Sequence, residues 1–294
     1  MFVQAIETAA KFTRPIHSIS RNYGSTEVVA GAATLFFVNA DGWALTCGHV
    51  ADQIVAADAI SNKFHSFKKE LTDRQGEKKH KQLLRELERK YEYSKHATAE
   101  LLNRFMNCIE GELNVKIIRS SESDVAVLKF SDFTKLLCDT FPVFAADTSG
   151  LKQGKFLCRL GFPFPQFTNF AYDKTSDSIR WTDTGRVDSP RFPIEGMLTR
   201  GLLDNGGQVT GFEMSTPGLR GQSGGPVFDA DGKIWGMQAA TAHLDLDFDV
   251  DQEVVRNGLK KPVKDSAFLH VGYCLHVDVL KCFMKEHGVQ FQEG

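Results

Sequence analysis

The stretch GLRGQSGGPVFDADGKIWGMQAAT, residues 218–241, decides the fold of this chain. Its first part, GQSGGP from Gly221 to Pro226, places one serine in a turn of small residues, where glycine permits the tight backbone. The part that follows is a short apolar run, an Asp229–Gly232 turn and a second apolar run, which is the pattern of a β-hairpin. The segment after the serine turn is therefore predicted to be a β-hairpin.

Ser223 is the candidate nucleophile of this turn. A serine hydroxyl reacts poorly at neutral pH unless an adjacent base takes its proton and N–H donors stabilise the oxyanion that forms. The backbone amides of Gly221 and Ser223 are the candidate donors. The motif alone is only moderately specific, because similar turns also occur as ordinary hairpin loops.

Two upstream motifs supply the missing groups. TCGHV, Thr46 to Val50, ends an apolar strand on His49, the candidate general base. SDVAVLKF, residues 123–130, opens with Asp124, whose carboxylate could orient an imidazole through its other ring nitrogen. The chain order is therefore histidine, aspartate, serine, which separates one lineage of triads from the others.

These motifs and their order resemble the chymotrypsin-type (trypsin-like) serine proteases, in particular the bacterial branch that includes the Deg/high-temperature-requirement proteases. RLGFPFP, residues 159–165, resembles the strand and turn that open the second barrel of that family, and VGYCLHVDVLKCFM, residues 271–284, resembles its last strand and closing helix. The resemblance implies an all-β fold of two six-stranded antiparallel β-barrels with a C-terminal helix. It also implies a serine endopeptidase with the triad His49, Asp124 and Ser223 and no cofactor or metal.

The 294 residues of the chain fit two such barrels. We predict an N-terminal barrel over residues 1–148, interrupted by a helical hairpin over residues 52–110, and a C-terminal barrel with its closing helix over residues 149–294. Residues 171–192 are predicted to form a polar surface loop.

Hydrophobic residues after His49 recur at the intervals of three and four that a helix face requires. The first face contains Ile60, Phe64, Phe67 and Leu71, and the second contains Leu84, Leu87 and Tyr91, with Leu101, Leu102 and Phe105 beyond. Two interpretations of this insertion stay open: a solvated decoration packed on the barrel, or a surface that docks a regulatory protein or a second copy.

The resemblance also locates a substrate pocket. Pro217 occupies the position of the acidic pocket floor in lysine- and arginine-cleaving relatives, so a small or medium apolar residue is expected before the scissile bond. A substrate backbone is expected to add as an extra strand beside residues 238–241. The predicted substrate contacts are Pro217, Gly218, Leu219, Gln238, Ala239, Ala240 and Thr241.

Gln222 stands where secreted relatives carry an aspartate that pairs with a newly cleaved amino terminus. Activation by trimming of the amino terminus is therefore not expected. Just beyond the pocket strand, LDLDFDVD, residues 244–251, alternates strictly between apolar and acidic residues. It is interpreted as the acidic face of a hairpin, as a selector of basic substrate residues, or as a calcium site.

Two other functions compete with a protease. The sequence GxSxG also marks the nucleophile elbow of esterases, but that elbow requires a helix directly after the serine, where this chain has a hairpin pattern. The alternative from another class is a catalytically silent peptide-binding or scaffolding module, regulated through the insertion, that keeps the fold.

Composition excludes several other classes. A formal net charge of -2 is no signature of a nucleic-acid or membrane-surface binder, and no stretch has the roughly 18 consecutive apolar residues of a membrane span. The amino terminus does not resemble a secretory signal. Six cysteines without paired spacing predict buried thiols in a cytoplasmic protein rather than disulfides or a zinc site.

Overall fold

A computed structural model describes residues 1–77, 79–256 and 258–294; Lys78 of the predicted insertion and Asn257 lie outside the described residues. A first sheet has the strand order β4-β1-β2-β3-β6-β5, with antiparallel pairing throughout. Its strands are β1 Thr13–Asn22, β2 Val29–Phe37, β3 Trp43–Thr46, β4 Thr98–Phe105, β5 Ile109–Arg119 and β6 Ala126–Leu136.

A second sheet has the order β13-β8-β11-β12-β15-β14-β7-β16, and β13 also pairs with β14. Its strands are β7 Val143–Phe144, β8 Phe156–Gly161, β11 Phe192–Leu203, β12 Val209–Met214, β13 Pro226–Phe228, β14 Ile234–Arg256, β15 Leu259–His276 and β16 Gln292–Glu293. The additional pairing joins the first six strands of that order into a closed antiparallel ring, which is a six-stranded barrel. Helix α4, Val277–Glu286, follows β15.

The predicted fold class is confirmed: the chain is mostly β, with two antiparallel sheets and a closing helix. The first sheet is a curled half-barrel, because no pairing joins β4 to β5 among the described residues. Residues 106–108, which connect β4 to β5, form backbone hydrogen bonds with β1 and with the residue that follows β6. Met106 N donates to Pro15 O, and Leu137 N donates to Cys108 O.

The predicted helical hairpin consists of α2, Gly48–Asp73, and α3, His80–Lys90. They share a small hydrophobic core of Phe64, Phe67, Leu83, Leu87, Tyr93 and Ala99. The predicted bounds 52–110 are wrong at both ends, since α2 begins at Gly48 and residues 98–105 form strand β4. Leu101 and Phe105 are an even number of residues apart, which fits a strand face as well as a helix face, and pairing with β1 decides between them.

Three further features differ from expectation. Helix α1, Val3–Phe12, was not predicted and buries its apolar face in the core. The predicted loop over 171–192 instead contains a hairpin of β9, Phe170–Asp173, and β10, Ser178–Trp181. Five of the six free cysteines are buried as predicted, but Cys282 is exposed. Among the described helices, none has the length and apolar character needed to cross a bilayer.

One hydrophobic core spans both sheets. Phe36 and Phe130 from the first sheet and Phe144, Phe212 and Phe228 from the second are all fully buried in it. Packing of large side chains from both sheets fixes the sheets against each other. The loops that carry the candidate site residues therefore extend from a common rigid core.

Candidate active site

His49 and Asp124 are brought together by neighbouring strands. His49 lies in the first turn of α2, shortly after β3, and Asp124 lies two residues before β6, which pairs with β3. Asp124 accepts two hydrogen bonds from the same residue: Oδ2 from His49 Nδ1 and Oδ1 from the His49 backbone N–H, each at 2.8 Å. The carboxylate therefore fixes both the ring and the backbone of His49.

The same hydrogen bonds set the protonation states. Burial would raise the pKa of Asp124, but the hydrogen bonds from His49 outweigh it and lower that pKa. An ionised carboxylate only accepts, so Nδ1 of His49 must carry the proton. In the neutral ring, Nε2 is then the basic atom, and it has no hydrogen-bond partner among the described residues.

The glycines around Ser223 are required by backbone packing. Gly221 has a φ of +93°, and a Cβ at this position would lie 2.5 Å from Phe162 O. Gly224 has a φ of +86°, and its Cβ would collide with Thr34 O. Both positions combine a left-handed backbone with a neighbouring carbonyl, so only glycine fits.

The turn before Ser223 is held by the side chain of Gln222, which is fully buried. Its Oε1 accepts from Leu219 N and its Nε2 donates to Phe192 O, both at 3.0 Å. Within the described residues, the backbone N–H groups of Gly221 and Ser223 have no acceptor. These two donors are available to a bound oxyanion.

The Ser223 hydroxyl donates to Ala239 O at 3.1 Å, and the described part of the chain holds no hydrogen bond between Ser223 and His49. The two residues are nevertheless linked through one carbonyl. Gln238 O accepts from Gly224 N at 2.9 Å and from Cys47 Sγ at 3.3 Å, which joins the serine turn to the strand end that carries His49.

A pocket of about 570 Å³ opens beside Ser223. The seven residues predicted from the sequence as substrate contacts all line it. The lining also includes Arg220, which belongs to the segment 215–220 that the resemblance predicts as a pocket wall. His243 and His270 line the pocket as well, and the sequence did not assign them to the site. The imidazoles of His243 and His270 face each other, with 2.6 Å between their Nδ1 atoms. The acidic stretch 244–251 follows within β14, in a long hairpin with β15.

Arg159 lies behind this pocket and was also missed. Its side chain is fully buried, and its Nη atoms donate to Gln238 Oε1 at 2.6 Å, to Thr216 O and Oγ1 at 2.6 Å, and to Pro217 O at 2.9 Å. The available signal was an arginine in the middle of the otherwise apolar strand β8. Arginine is rarely buried in such a strand without a specific partner.

One group of side chains among the described residues has metal-ligand geometry. The ligand atoms of Cys47, His49 and Asp124 lie within 4.8 Å of one another. Burial and the nearby Asp124 carboxylate raise the pKa of the Cys47 thiol, which disfavours the thiolate that a metal needs. Both oxygens of Asp124 already bind His49, so this group does not fit a metal site.

Comparison with known proteins identifies a family. A family model described as a trypsin-like peptidase domain matches residues 33–237. A solved structure, "HtrA-type protease AlgW with decapeptide", aligns with a TM-score of 0.49 and 13% identity over 98% of this chain and 69% of that chain, a likeness too weak to carry an argument. A search of curated proteins finds no match. On the family model, which covers most of the chain, this protein belongs to the trypsin-like peptidase family.

Proposed function

We propose that this chain is a serine endopeptidase that hydrolyses peptide bonds, with Ser223 as nucleophile and His49 as general base. The observation that carries the proposal is the double hydrogen bond from His49 to Asp124, which leaves Nε2 as the basic atom of the ring. Family membership supports peptidase chemistry in general. The assignment of the individual residues rests on their geometry.

In this mechanism, His49 Nε2 takes the proton of Ser223 as the hydroxyl attacks the peptide carbonyl, and later gives it to the leaving amine. Asp124 holds the tautomer and stabilises the imidazolium. The amides of Gly221 and Ser223 stabilise the oxyanion, because they have no competing acceptor in the described chain.

A rotation of Ser223 about its Cα–Cβ bond precedes attack, because its hydroxyl is bonded to Ala239 O. β13 pairs with β14 only as far as Met237, so the same edge of β14 is unpaired from Ala239 onward within the described chain. A substrate strand added at this edge would use Ala239 O as an acceptor. Substrate binding would then displace the hydroxyl toward His49.

We also propose that the site lies between two halves, residues 1–148 and 149–294. The first sheet supplies His49 and Asp124, while Ser223 precedes β13 of the second sheet. Strand β7 already belongs to the second sheet although it precedes residue 149. The first half therefore contributes one short strand to the second sheet.

The competing proposal is a catalytically silent peptide-binding module regulated through the helical insertion. The bond from Ser223 to Ala239 O favours it, because this bond keeps the nucleophile away from the base. The two proposals differ in one chemical property, the reactivity of the Ser223 hydroxyl.

Covalent labelling with a fluorophosphonate distinguishes them. The wild type is expected to be labelled at Ser223 and to cleave peptides, Ser223→Ala to do neither, and Ser149→Ala, at an exposed serine away from the site, to behave like the wild type. A folded wild type that neither reacts nor cleaves would support the silent module.

A further inference from the structure

The pocket beside Ser223 has an unusual balance of charge. Its ionisable lining residues, apart from the candidate nucleophile, are Arg220, His243 and His270, and no carboxylate lines it among the described residues. Arg220 is exposed and forms no ion pair with a described residue. The groups that can carry charge in this pocket are therefore all cationic.

A second cation lies directly behind the wall. Arg159 is fully buried, its hydrogen-bond acceptors among the described residues are all neutral oxygens, and its Nε has no partner among them. These acceptors explain why a side chain with several N–H donors lies here. They do not explain why that side chain is charged, because a positive charge that is buried without a counter-ion is costly. Burial lowers the pKa of Arg159, yet a guanidinium stays protonated in proteins.

Gln238 connects this cation to the pocket. Because a guanidinium only donates, the amide oxygen of Gln238 must face Arg159, and the NH₂ group must face the other way. One N–H donates to Ala240 O at 2.6 Å, and the second has no acceptor among the described residues. Gln238 is itself one of the residues that line the pocket.

Two glycines make room for this arrangement. A Cβ at Gly272 would collide with Arg159 Nη1, and a Cβ at Gly218 would collide with Gln238 Nε2. The backbone on both sides is thus shaped around the Arg159–Gln238 pair. The Arg159–Gln238 pair is therefore a structural part of the pocket wall.

We propose that this pocket selects an acidic residue immediately before the scissile bond. The substrate carboxylate would accept the free N–H of Gln238, supply the counter-charge that Arg159 lacks, and pair with Arg220. A lysine or arginine would place another cation against Arg159. The proposal rests on the proposed peptidase function, and it replaces the small apolar preference expected from Pro217 alone.

The direct test is a set of internally quenched peptides that differ only in the residue before the cleaved bond: Glu, Asp, Gln, Leu or Lys. We expect kcat/KM for the better acidic peptide to exceed that for Gln by about tenfold or more and that for Lys by about a hundredfold, since the site discriminates by charge as well as shape. Equal or faster cleavage after Leu, Gln or Lys would overturn the proposal.

Variants assign the preference to the buried pair. Arg159→Met keeps the volume but removes the charge, and should reduce the Glu/Gln ratio of kcat/KM to about one. Gln238→Glu provides an internal counter-charge for Arg159 and removes the N–H that would bind the substrate carboxylate, so it should also remove the preference for Glu. Arg180→Met, the same substitution at an exposed arginine, should leave the Glu/Gln ratio of kcat/KM unchanged.

These outcomes separate the specificity from the activity. If Arg159→Met fails to fold, the wild-type peptide set and Gln238→Glu still decide the question. If the wild type reacts with fluorophosphonate and cleaves after apolar or basic residues, the proposed acidic preference is wrong but the proposed peptidase function stands. A wild type with no Ser223-dependent labelling or cleavage overturns the proposed function itself.

Discussion

The two sheets hold their parts of the candidate site by different means. On the first sheet, the carboxylate of Asp124 fixes His49 through side-chain and backbone hydrogen bonds. On the second, Gly221 and Gly224 fix the Ser223 turn by direct contact with backbone carbonyls. Substitution of Asp124 or His49 should therefore reduce activity and leave the fold intact. Substitution of the turn glycines should lower the stability of the fold as well.

The largest expected effect comes from removing one reactive group from each side. If the proposed triad is correct, His49→Ala and Ser223→Ala should each lower kcat by about a million-fold, and the double variant should be hardly worse, because the groups act as a unit. Steady-state kinetics of the three variants measures this. Losses that multiply would show that the two side chains act independently.

The next effect concerns the first sheet alone. Asp124→Asn should leave the fold intact but lower kcat by about ten-thousand-fold, because an amide can stabilise the wrong tautomer of His49 and cannot stabilise the imidazolium. Circular dichroism provides the control for folding. A nearly active Asp124→Asn would remove Asp124 from the mechanism.

The corresponding test on the second sheet measures stability. Gly224→Ala should lower the free energy of unfolding by about 3–5 kcal/mol, since the new methyl meets Thr34 O in a left-handed backbone. Gly207 has a similar φ of +79° but no atom within 4 Å of a Cβ, so Gly207→Ala should cost only about 1 kcal/mol. Equal losses in urea unfolding would show that collision is not the cause.

The smallest expected effect lies in the first sheet, at His17. Desolvation by burial, assisted by the Arg104 charge, lowers the pKa of His17 to about 4. Between the ordinary value of 6.5 and this pKa, the unfolded chain binds the proton and the folded chain does not, so stability falls as the pH decreases through that range.

At pH 5 the loss from His17 relative to pH 7 should be about 2 kcal/mol. His17→Gln should show a correspondingly weaker dependence on pH in urea unfolding at the two pH values. His65→Gln, at an exposed histidine, should retain the wild-type dependence. The same slope in wild type and His17→Gln would contradict the assignment.

The local sequence pattern was sufficient to predict secondary structure where a segment's residues fit only one kind of element. The serine turn and its hairpin, the strand before His49, the strand after Asp124 and the closing helix were all predicted where they lie. At residues 98–105, the apolar spacing fits both a helix and a strand, and only pairing with β1 decided between them. Helix α1 was not predicted, and its apolar face is explained only by the core against which it packs.

The sequence by itself determined the order histidine, aspartate, serine and the turn glycines, because these depend on residue type and short-range spacing. Its family resemblance located seven of the residues that line the pocket. Only the tertiary structure decided that Asp124 binds the ring Nδ1 and the backbone N–H of His49 and that Arg159 lies buried behind Gln238. Such contacts join residues about 75 or more positions apart, and their energy depends on burial and direction. Neither burial nor direction is encoded in the local sequence.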